Sequence, residues 1–136
     1  MHIDMKFESM EDMIQDALED DSDRGRGQIR FVVRCGACGE VWRSNPRRFT
    51  MAGALAENEN RRVILDAKWE REWKNARSLA IADAVNHFNL CPICKKISCG
   101  LCFRICDTID MCAACSERLG EPGKPQQAGA HRERGQ

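Results

Sequence analysis

The chain has 136 residues, with 21 basic and 21 acidic side chains and a formal net charge of zero. This length predicts one domain, and a neutral chain is not expected to bind nucleic acid over its whole surface. No apolar stretch is long enough to span a bilayer. The acidic N-terminus has no apolar segment of the kind that directs secretion, so we expect a cytoplasmic protein, or a nuclear one in a eukaryote.

Residues 1–27 are predicted to form an acidic amphipathic helix followed by a linker. Nine of the first 23 residues are acidic, against a single lysine. Within residues 9–20 the apolar side chains recur at helical spacing, and Ser9 can cap the helix together with Asp12. The end of the segment, rich in aspartate and glycine, predicts a flexible linker. The helix either folds back on its own domain or serves as a partner-binding or autoinhibitory arm.

Residues 28–119 are predicted to form a zinc-binding domain, because eight of the nine cysteines make four Cys-x-x-Cys pairs. A two-residue gap lets one tight turn point both sulfur atoms at the same metal ion, and four thiolates are the ligand set of a structural zinc ion. Reduced thiols in a cytoplasmic protein favour metal binding over disulfides. The sequence therefore predicts two structural zinc ions, with the ligands Cys35, Cys38, Cys91, Cys94, Cys99, Cys102, Cys112 and Cys115.

The first cysteine pair follows a predicted strand, residues 28–34, and lies in a basic segment. Residues 24–49 contain seven arginines and one glutamate. Arginines near Phe49 could contact phosphates while its ring stacks on a base. The acidic arm could instead neutralise this surface, so deletion of residues 1–23 is expected to raise any affinity for nucleic acid. The candidate nucleic-acid contacts are Arg30, Arg34, Arg43, Arg47 and Arg48.

Residues 61–89 are predicted to form one long helix, inserted between the first and second cysteine pairs. Apolar side chains repeat every three or four residues, and a rise of 1.5 Å per residue gives a length of about 40 Å. A small zinc domain cannot cover such a helix, so we expect part of it to pack on the N-terminal helix or on a second subunit. Trp69 and Trp73 are the candidate contacts with a protein partner or a second copy.

The other three cysteine pairs lie within residues 91–119, where a short helix is predicted to start at Cys112. Cys106, the ninth cysteine, is expected to be a small buried apolar side chain or a substitute ligand for a neighbour. Residues 120–136, rich in Gly, Pro and Gln, are predicted to be a disordered tail. The predicted fold class is a small α+β domain with two four-cysteine sites, short β-hairpins, one long inserted helix and a short C-terminal helix.

The segment CPICKKISCGLC, with four residues between two cysteine pairs, resembles the centre of cross-brace treble-clef fingers, the FYVE, PHD and RING group. The resemblance implies that the first and third pairs share one zinc ion and that the second and fourth pairs share the other. The basic histidine-containing signature of FYVE domains and the histidine ligand of RING and PHD fingers are missing, so lipid binding, ubiquitin ligation and histone reading are not carried over. The alternative is a sequential pairing, in which the first and second pairs form a zinc ribbon.

No catalytic arrangement is recognisable in the sequence. Zinc enclosed by four sulfur atoms has no open position for water, and the motifs His-x-Glu before a cysteine pair and His-Glu-x-x-His are missing. An iron–sulfur cluster is the alternative metal group, although the bacterial run C-x2-C-x2-C-x3-C-P is missing. We therefore expect a protein-interaction or adaptor module without a small-molecule substrate, or, alternatively, a nucleic-acid-binding zinc finger protein that its acidic arm inhibits.

Overall fold

A computed structural model describes residues 9–127. Within them the chain is a small α+β protein with three α-helices and four small antiparallel sheets, the architecture that the sequence predicts. The helices are α1 (Met10–Ala17), α2 (Glu59–His87) and α3 (Ala113–Leu119). The strands are β1 (Glu19–Asp20), β2 (Gln28–Ile29), β3 (Phe31–Arg34), β4 (Val41–Arg43), β5 (Arg47–Arg48), β6 (Asn89–Leu90), β7 (Ile97–Ser98), β8 (Phe103–Cys106), β9 (Met111–Cys112) and β10 (Gly123–Pro125).

Helix α1 folds back on its own domain. The predicted capping box is confirmed, because the Ser9 hydroxyl accepts a hydrogen bond from the Asp12 amide and the Asp12 carboxylate accepts one from the Ser9 amide. Ile14 is fully buried and belongs to one apolar cluster with Ile81 and Ala84 of α2. The helix is therefore part of the core, and its acidic residues lie on the opposite, exposed side.

The segment predicted to be a flexible linker is a folded turn, so that prediction is wrong. The Asp23 carboxylate accepts a hydrogen bond from the Arg26 amide across the 3-10 turn Arg24–Arg26. Gly27 ends this turn in the left-handed region, at φ 66°, and a Cβ there would lie 2.4 Å from the Ala52 Cβ. Glycine is the residue that fits both conditions. The helix predicted over residues 9–20 is also three residues too long, because α1 ends at Ala17 and Glu19–Asp20 form β1, which pairs with β3.

The predicted strand at residues 28–34 is divided in two at Arg30. Its first part, β2, pairs with β5, so that Gln28 lies opposite Arg48. Its second part, β3, is the centre of the three-stranded sheet β1-β3-β4, where Val33 lies opposite Trp42. The turn from β3 to β4 carries the first cysteine pair, and the sheet therefore fixes the position of that turn.

Helix α2 is the long inserted helix, and its ends lie within two residues of the predicted ones. The Asn58 side chain caps it by accepting a hydrogen bond from the Arg61 amide at 2.8 Å. Its buried face includes Ala76, Ala80 and Ala84, whose small side chains leave room for Phe31 of β3 and for α1. The expected packing of the long helix on the N-terminal helix is confirmed.

The C-terminal part is built around two hairpins. Strands β6 and β7 flank the second cysteine pair, and β8 is the centre of the sheet β10-β8-β9, which leads into α3.

Strand β10 lies inside the predicted disordered tail, so that prediction is wrong for residues 123–125. The last nine residues of the predicted tail, 128–136, lie outside the described residues, as do residues 1–8. None of the helices described here combines the length and the apolar character that crossing a membrane demands.

Candidate metal centres

The fold brings the eight paired cysteines into two groups of four. Within each group all sulfur atoms lie within 4.8 Å of one another. This is the interleaved grouping that the resemblance to cross-brace fingers implies, and the sequential alternative is not the grouping found. One group is Cys35, Cys38, Cys99 and Cys102, and the other is Cys91, Cys94, Cys112 and Cys115.

The first group forms where the β3–β4 turn docks on β7. The Gly36 amide donates a hydrogen bond to the Ile97 carbonyl at 2.8 Å. A Cβ on Gly36 would lie 2.7 Å from that carbonyl oxygen, so a larger residue would push the turn away from β7. Because β7 runs directly into Cys99, this close approach brings the third cysteine pair to the first.

Backbone amides surround the Cys35 sulfur. It accepts hydrogen bonds from the amides of Ala37 and Cys38 at 3.4 Å each and from the amide of Cys99 at 3.3 Å. Burial raises the pKa of Cys35, but these three amides outweigh burial and lower it to about 7. The turn is therefore built to hold a thiolate at this position.

The second group repeats this arrangement in the other half of the molecule. Cys91 and Cys94 lie in the turn between β6 and β7, while Cys112 directly precedes α3 and Cys115 lies in its first turn. The Cys112 amide donates to the Cys91 sulfur at 3.4 Å. Burial raises the pKa of Cys91, but the amides of Cys112, Cys94 and Ile93 outweigh it and lower the pKa to about 6.

The neighbouring thiols have the opposite tendency. Burial raises the pKa of Cys99 and Cys102, and a negative charge on Cys35 raises both further. Burial likewise raises the pKa of Cys94, and that of Cys112 to about 12. A divalent cation at the centre of each group would favour the deprotonated form of all four thiols, because it attracts the thiolates that otherwise repel one another. The electrostatics of both groups therefore fit a bound cation.

The distances between sulfur atoms also fit one metal ion per group. An ion bound tetrahedrally at about 2.3 Å from each sulfur places the sulfur atoms about 3.8 Å apart. The sulfur atoms of Cys38 and Cys99 are 3.9 Å apart, and those of Cys94 and Cys112 are 3.7 Å apart. A disulfide needs about 2.05 Å, and all nine cysteines are free. Each group thus has the spacing of a four-thiolate site.

The first group is part of the main core. Cys35 and Cys99 belong to the same buried cluster as Ile14 of α1 and Phe88, which follows α2. The Trp42 ring packs on this cluster, with its centroid 6.4 Å from that of Phe88. The first metal site, α1 and α2 therefore share one apolar core, so loss of the site is expected to loosen both helices.

Cys106 belongs to neither group. It is half-buried beside the second group, where it packs on the cluster that contains Cys91 and Cys112. Its amide donates a hydrogen bond to the Asp110 carboxylate at 3.0 Å, and its thiol lies 3.8 Å from the Arg104 carbonyl. Its place in the structure is that of a small packing residue in the β8–β9 hairpin.

The five candidate arginines do not form one surface. The Arg30 guanidinium lies 2.5 Å from the Asp21 carboxylate, and that of Arg34 lies 3.5 Å from Glu19. The other three are exposed, and no carboxylate among residues 9–127 lies within ion-pair distance of them; they are Arg43, Arg47 and Arg48.

Three aromatic residues that the sequence offered for binding have partners inside the protein. Phe49 is buried, with its ring centroid 5.2 Å from that of Trp69, so the expected stacking of Phe49 on a base is wrong. Trp73 packs edge-on against Phe31, with the ring centroids 5.4 Å apart. The Arg24 guanidinium lies 5.4 Å from the centre of the Trp69 ring. Contact of Trp69 or Trp73 with a partner stays a prediction.

Comparisons of the chain with family models, with curated proteins and with solved structures yield no match. The function is therefore inferred from the two cysteine groups and from the surfaces around them.

Proposed function

We propose that this protein is a non-enzymatic interaction or adaptor module, held in shape by two structural zinc ions. The observation that carries the proposal is the assembly of eight sulfur atoms into two groups, with separations of 3.9 Å and 3.7 Å across them. Four thiolates favour zinc, and they leave no coordination position for a water or a substrate. Both sites are then structural, and function lies on the protein surface.

The second group supports membership of the treble-clef class that the cysteine spacing resembles. Its ligands come from the turn between β6 and β7 and from the start of α3, with the β8–β9 hairpin in between. We propose that this order of turn, hairpin and helix start makes a treble-clef finger. The interleaved first group supports the cross-brace form of the class.

An apolar patch on α2 supports the interaction role. Val63 and Ile64 are 58% and 51% exposed, and exposed Ala67 lies one turn further along the helix. Single exposed apolar residues are ordinary, but Ala67 lies four residues after Val63 and three after Ile64, so the three side chains line one side of the helix and offer a site for a protein partner. We propose that this patch, made of Val63, Ile64 and Ala67, contacts either an apolar surface of another protein or the same patch on a second copy.

The double variant Val63→Ser/Ile64→Ser tests the interaction role. Light scattering of the purified chain measures self-association, and affinity capture from the source cell measures binding of a partner. We expect association in the unmodified chain and its loss in the variant, because serine removes the apolar contact area. The matched control is Ile109→Ser/Leu119→Ser, which removes two exposed apolar residues outside α2. A monomer that captures no partner, or equal association by both variants, would contradict the proposal.

A second candidate function is nucleic-acid binding under the control of the acidic segment. The observation that favours it is the contact of Glu19 and Asp21 with Arg34 and Arg30, which leaves two candidate arginines occupied. Deletion of residues 1–23 cannot test it, since it would remove the buried Ile14 from the core.

The double variant Glu19→Gln/Asp21→Asn releases the two arginines while it keeps α1 in place. We expect tighter binding to an oligonucleotide by several-fold, with a salt dependence about one to two units steeper, because two more guanidinium groups reach phosphates. The control variant Asp16→Asn/Glu57→Gln makes the same change in net charge at exposed positions. An equal increase in oligonucleotide affinity in both variants would show that net charge alone is responsible, and would contradict autoinhibition.

A further inference from the structure

An open depression lies between the 3-10 turn at residues 24–26 and strand β5. Its volume is about 310 Å³. We call it the arginine cleft, because three arginine side chains line it together with one proline and two residues of the turn and β2. The lining residues are Arg26, Gly27, Gln28, Pro46, Arg47 and Arg48.

The charges in the arginine cleft are poorly compensated. No carboxylate of residues 9–127 lies within ion-pair distance of Arg47 or Arg48. Arg26 has one neighbouring acid, Asp23, at 3.7 Å, and both side chains are exposed, so this pair is weak. Arg24, the other arginine of the turn, points instead to α2, where it lies 2.6 Å from the Asp66 carboxylate.

The backbone holds the two walls of the cleft together. Gln28 and Arg48 are paired across β2 and β5, and the Phe49 amide donates a hydrogen bond to the Gly27 carbonyl at 2.8 Å. Phe49 is buried directly after the arginine pair and anchors β5 in the core. These contacts place three arginines around one depression, where Arg47 and Arg48 have no paired carboxylate among residues 9–127. An oxyanion compensates such positive charge, and the planar fork of arginine binds phosphate oxygens in pairs.

We propose that the arginine cleft binds neighbouring phosphate groups of a nucleic-acid backbone, one for each arginine; this proposal rests on the second candidate function and assigns its binding site. The residues that line the cleft include no aromatic ring on which a base could stack, and the neighbouring Phe49 is buried. The cleft is open to solvent, as a polymer passing through it requires. Contacts of this kind are to phosphate and are independent of base sequence.

Fluorescence anisotropy with a 15-nucleotide oligothymidylate, measured over a series of salt concentrations, tests the proposal. The test variant is Arg47→Gln/Arg48→Gln. We expect its affinity at low salt to fall at least tenfold and the slope of log K against log salt to become shallower by about 1.4, since each phosphate contact to a single strand contributes about 0.7. Arg26→Gln is expected to make the slope shallower by about half that amount.

The matched control is Arg61→Gln/Arg71→Gln, which removes two exposed arginines of α2 outside the cleft. Retention of two metal ions in every variant verifies the fold. Equal affinities of the test and control variants would overturn the arginine cleft while leaving nucleic-acid binding in place. Failure of the unmodified chain to bind any oligonucleotide would overturn both. Binding of a phosphoserine peptide, but not of the oligonucleotide, would overturn the nucleic-acid assignment in favour of a phosphoprotein.

Discussion

Cys35 and Cys106 differ in what surrounds their sulfur atoms. Three amides point at Cys35, whereas the thiol of Cys106 faces a backbone carbonyl. Amide donors stabilise a thiolate and hence a metal ligand, and Cys106 lies outside both four-cysteine groups. The two cysteines therefore have different roles, although both lie in β-hairpins.

Substitution of Cys35 by serine is expected to remove one metal ion and to unfold the N-terminal core. Metal binding and folding are coupled in such sites, with about 10–16 kcal/mol of binding energy in zinc-finger peptides. Cys106→Ser is the control and is expected to keep both ions. Native mass spectrometry counts the ions. Two ions in Cys35→Ser, or one in Cys106→Ser, would contradict the assignment of these two residues.

Gly27→Ala is expected to destabilise the protein more than Gly53→Ala. Both glycines have positive φ, at 66° and 88°, where an alanine costs roughly 1–2 kcal/mol. Only at Gly27 does the added Cβ meet another atom, the Ala52 Cβ at 2.4 Å, while nothing lies within 4 Å at Gly53. Denaturant unfolding measures the difference in the free energy of unfolding. An equal loss of unfolding free energy in the two variants would show that the turn at Gly27 moves away from Ala52 and is not held against it.

At the scale of elements, α1 is a core helix despite its acidic composition. Ile14→Ala is expected to lower the free energy of unfolding by about 2–5 kcal/mol, because the side chain is fully buried against α2. Asp16→Ala, on the exposed side of the same helix, is expected to change it by less than about 0.5 kcal/mol. Denaturant unfolding measures both values. A small effect of Ile14→Ala would mean that α1 detaches from the core in solution.

The elements differ in how far the sequence alone could predict them. Helices α1 and α2 have caps and apolar spacing that are local in sequence, so Ser9 and the long repeat predict them closely. The turn at residues 21–27 was missed because aspartate and glycine suggested a linker, and strand β1 was missed because residues 19–20 were predicted to continue α1. The pair Asp23 and Gly27, a cap followed by a left-handed glycine, was the signal for it. Strand β10 depends on pairing with β8, which no local pattern reveals.

At the scale of the whole molecule, the two interleaved sites fasten distant parts of the chain together. The first site joins the β3–β4 turn to residues that lie beyond both α2 and the second cysteine pair. Removal of metal by a chelator is therefore expected to abolish tertiary structure in both halves.

The cysteine spacing could predict the eight ligands but left two pairings open, because the choice depends on how Gly36 docks on β7.

The interleaved pairing makes a specific prediction for double variants. Cys35→Ser/Cys99→Ser is expected to lose one metal ion, because both residues belong to the same group. Cys35→Ser/Cys91→Ser is expected to lose both ions, because it damages each group. A sequential pairing predicts the reverse. Native mass spectrometry of freshly purified, metal-loaded variants distinguishes the two.

The surface roles were the least predictable part of the molecule. The pairing of Arg30 and Arg34 with acidic residues and the burial of Phe49 are tertiary contacts, so the basic segment read from the sequence is only partly available for binding. Arg26 was not among the sequence candidates, since the missed turn is what brings it beside Arg47 and Arg48.

The most direct test of the central claim is the metal content of the intact chain, measured by native mass spectrometry together with elemental analysis. Two closed four-thiolate groups predict two zinc ions per chain under native conditions and the metal-free mass, with all nine cysteines reduced, after denaturation. A chain that carries no metal, or one that carries iron with inorganic sulfide, would contradict two structural zinc sites.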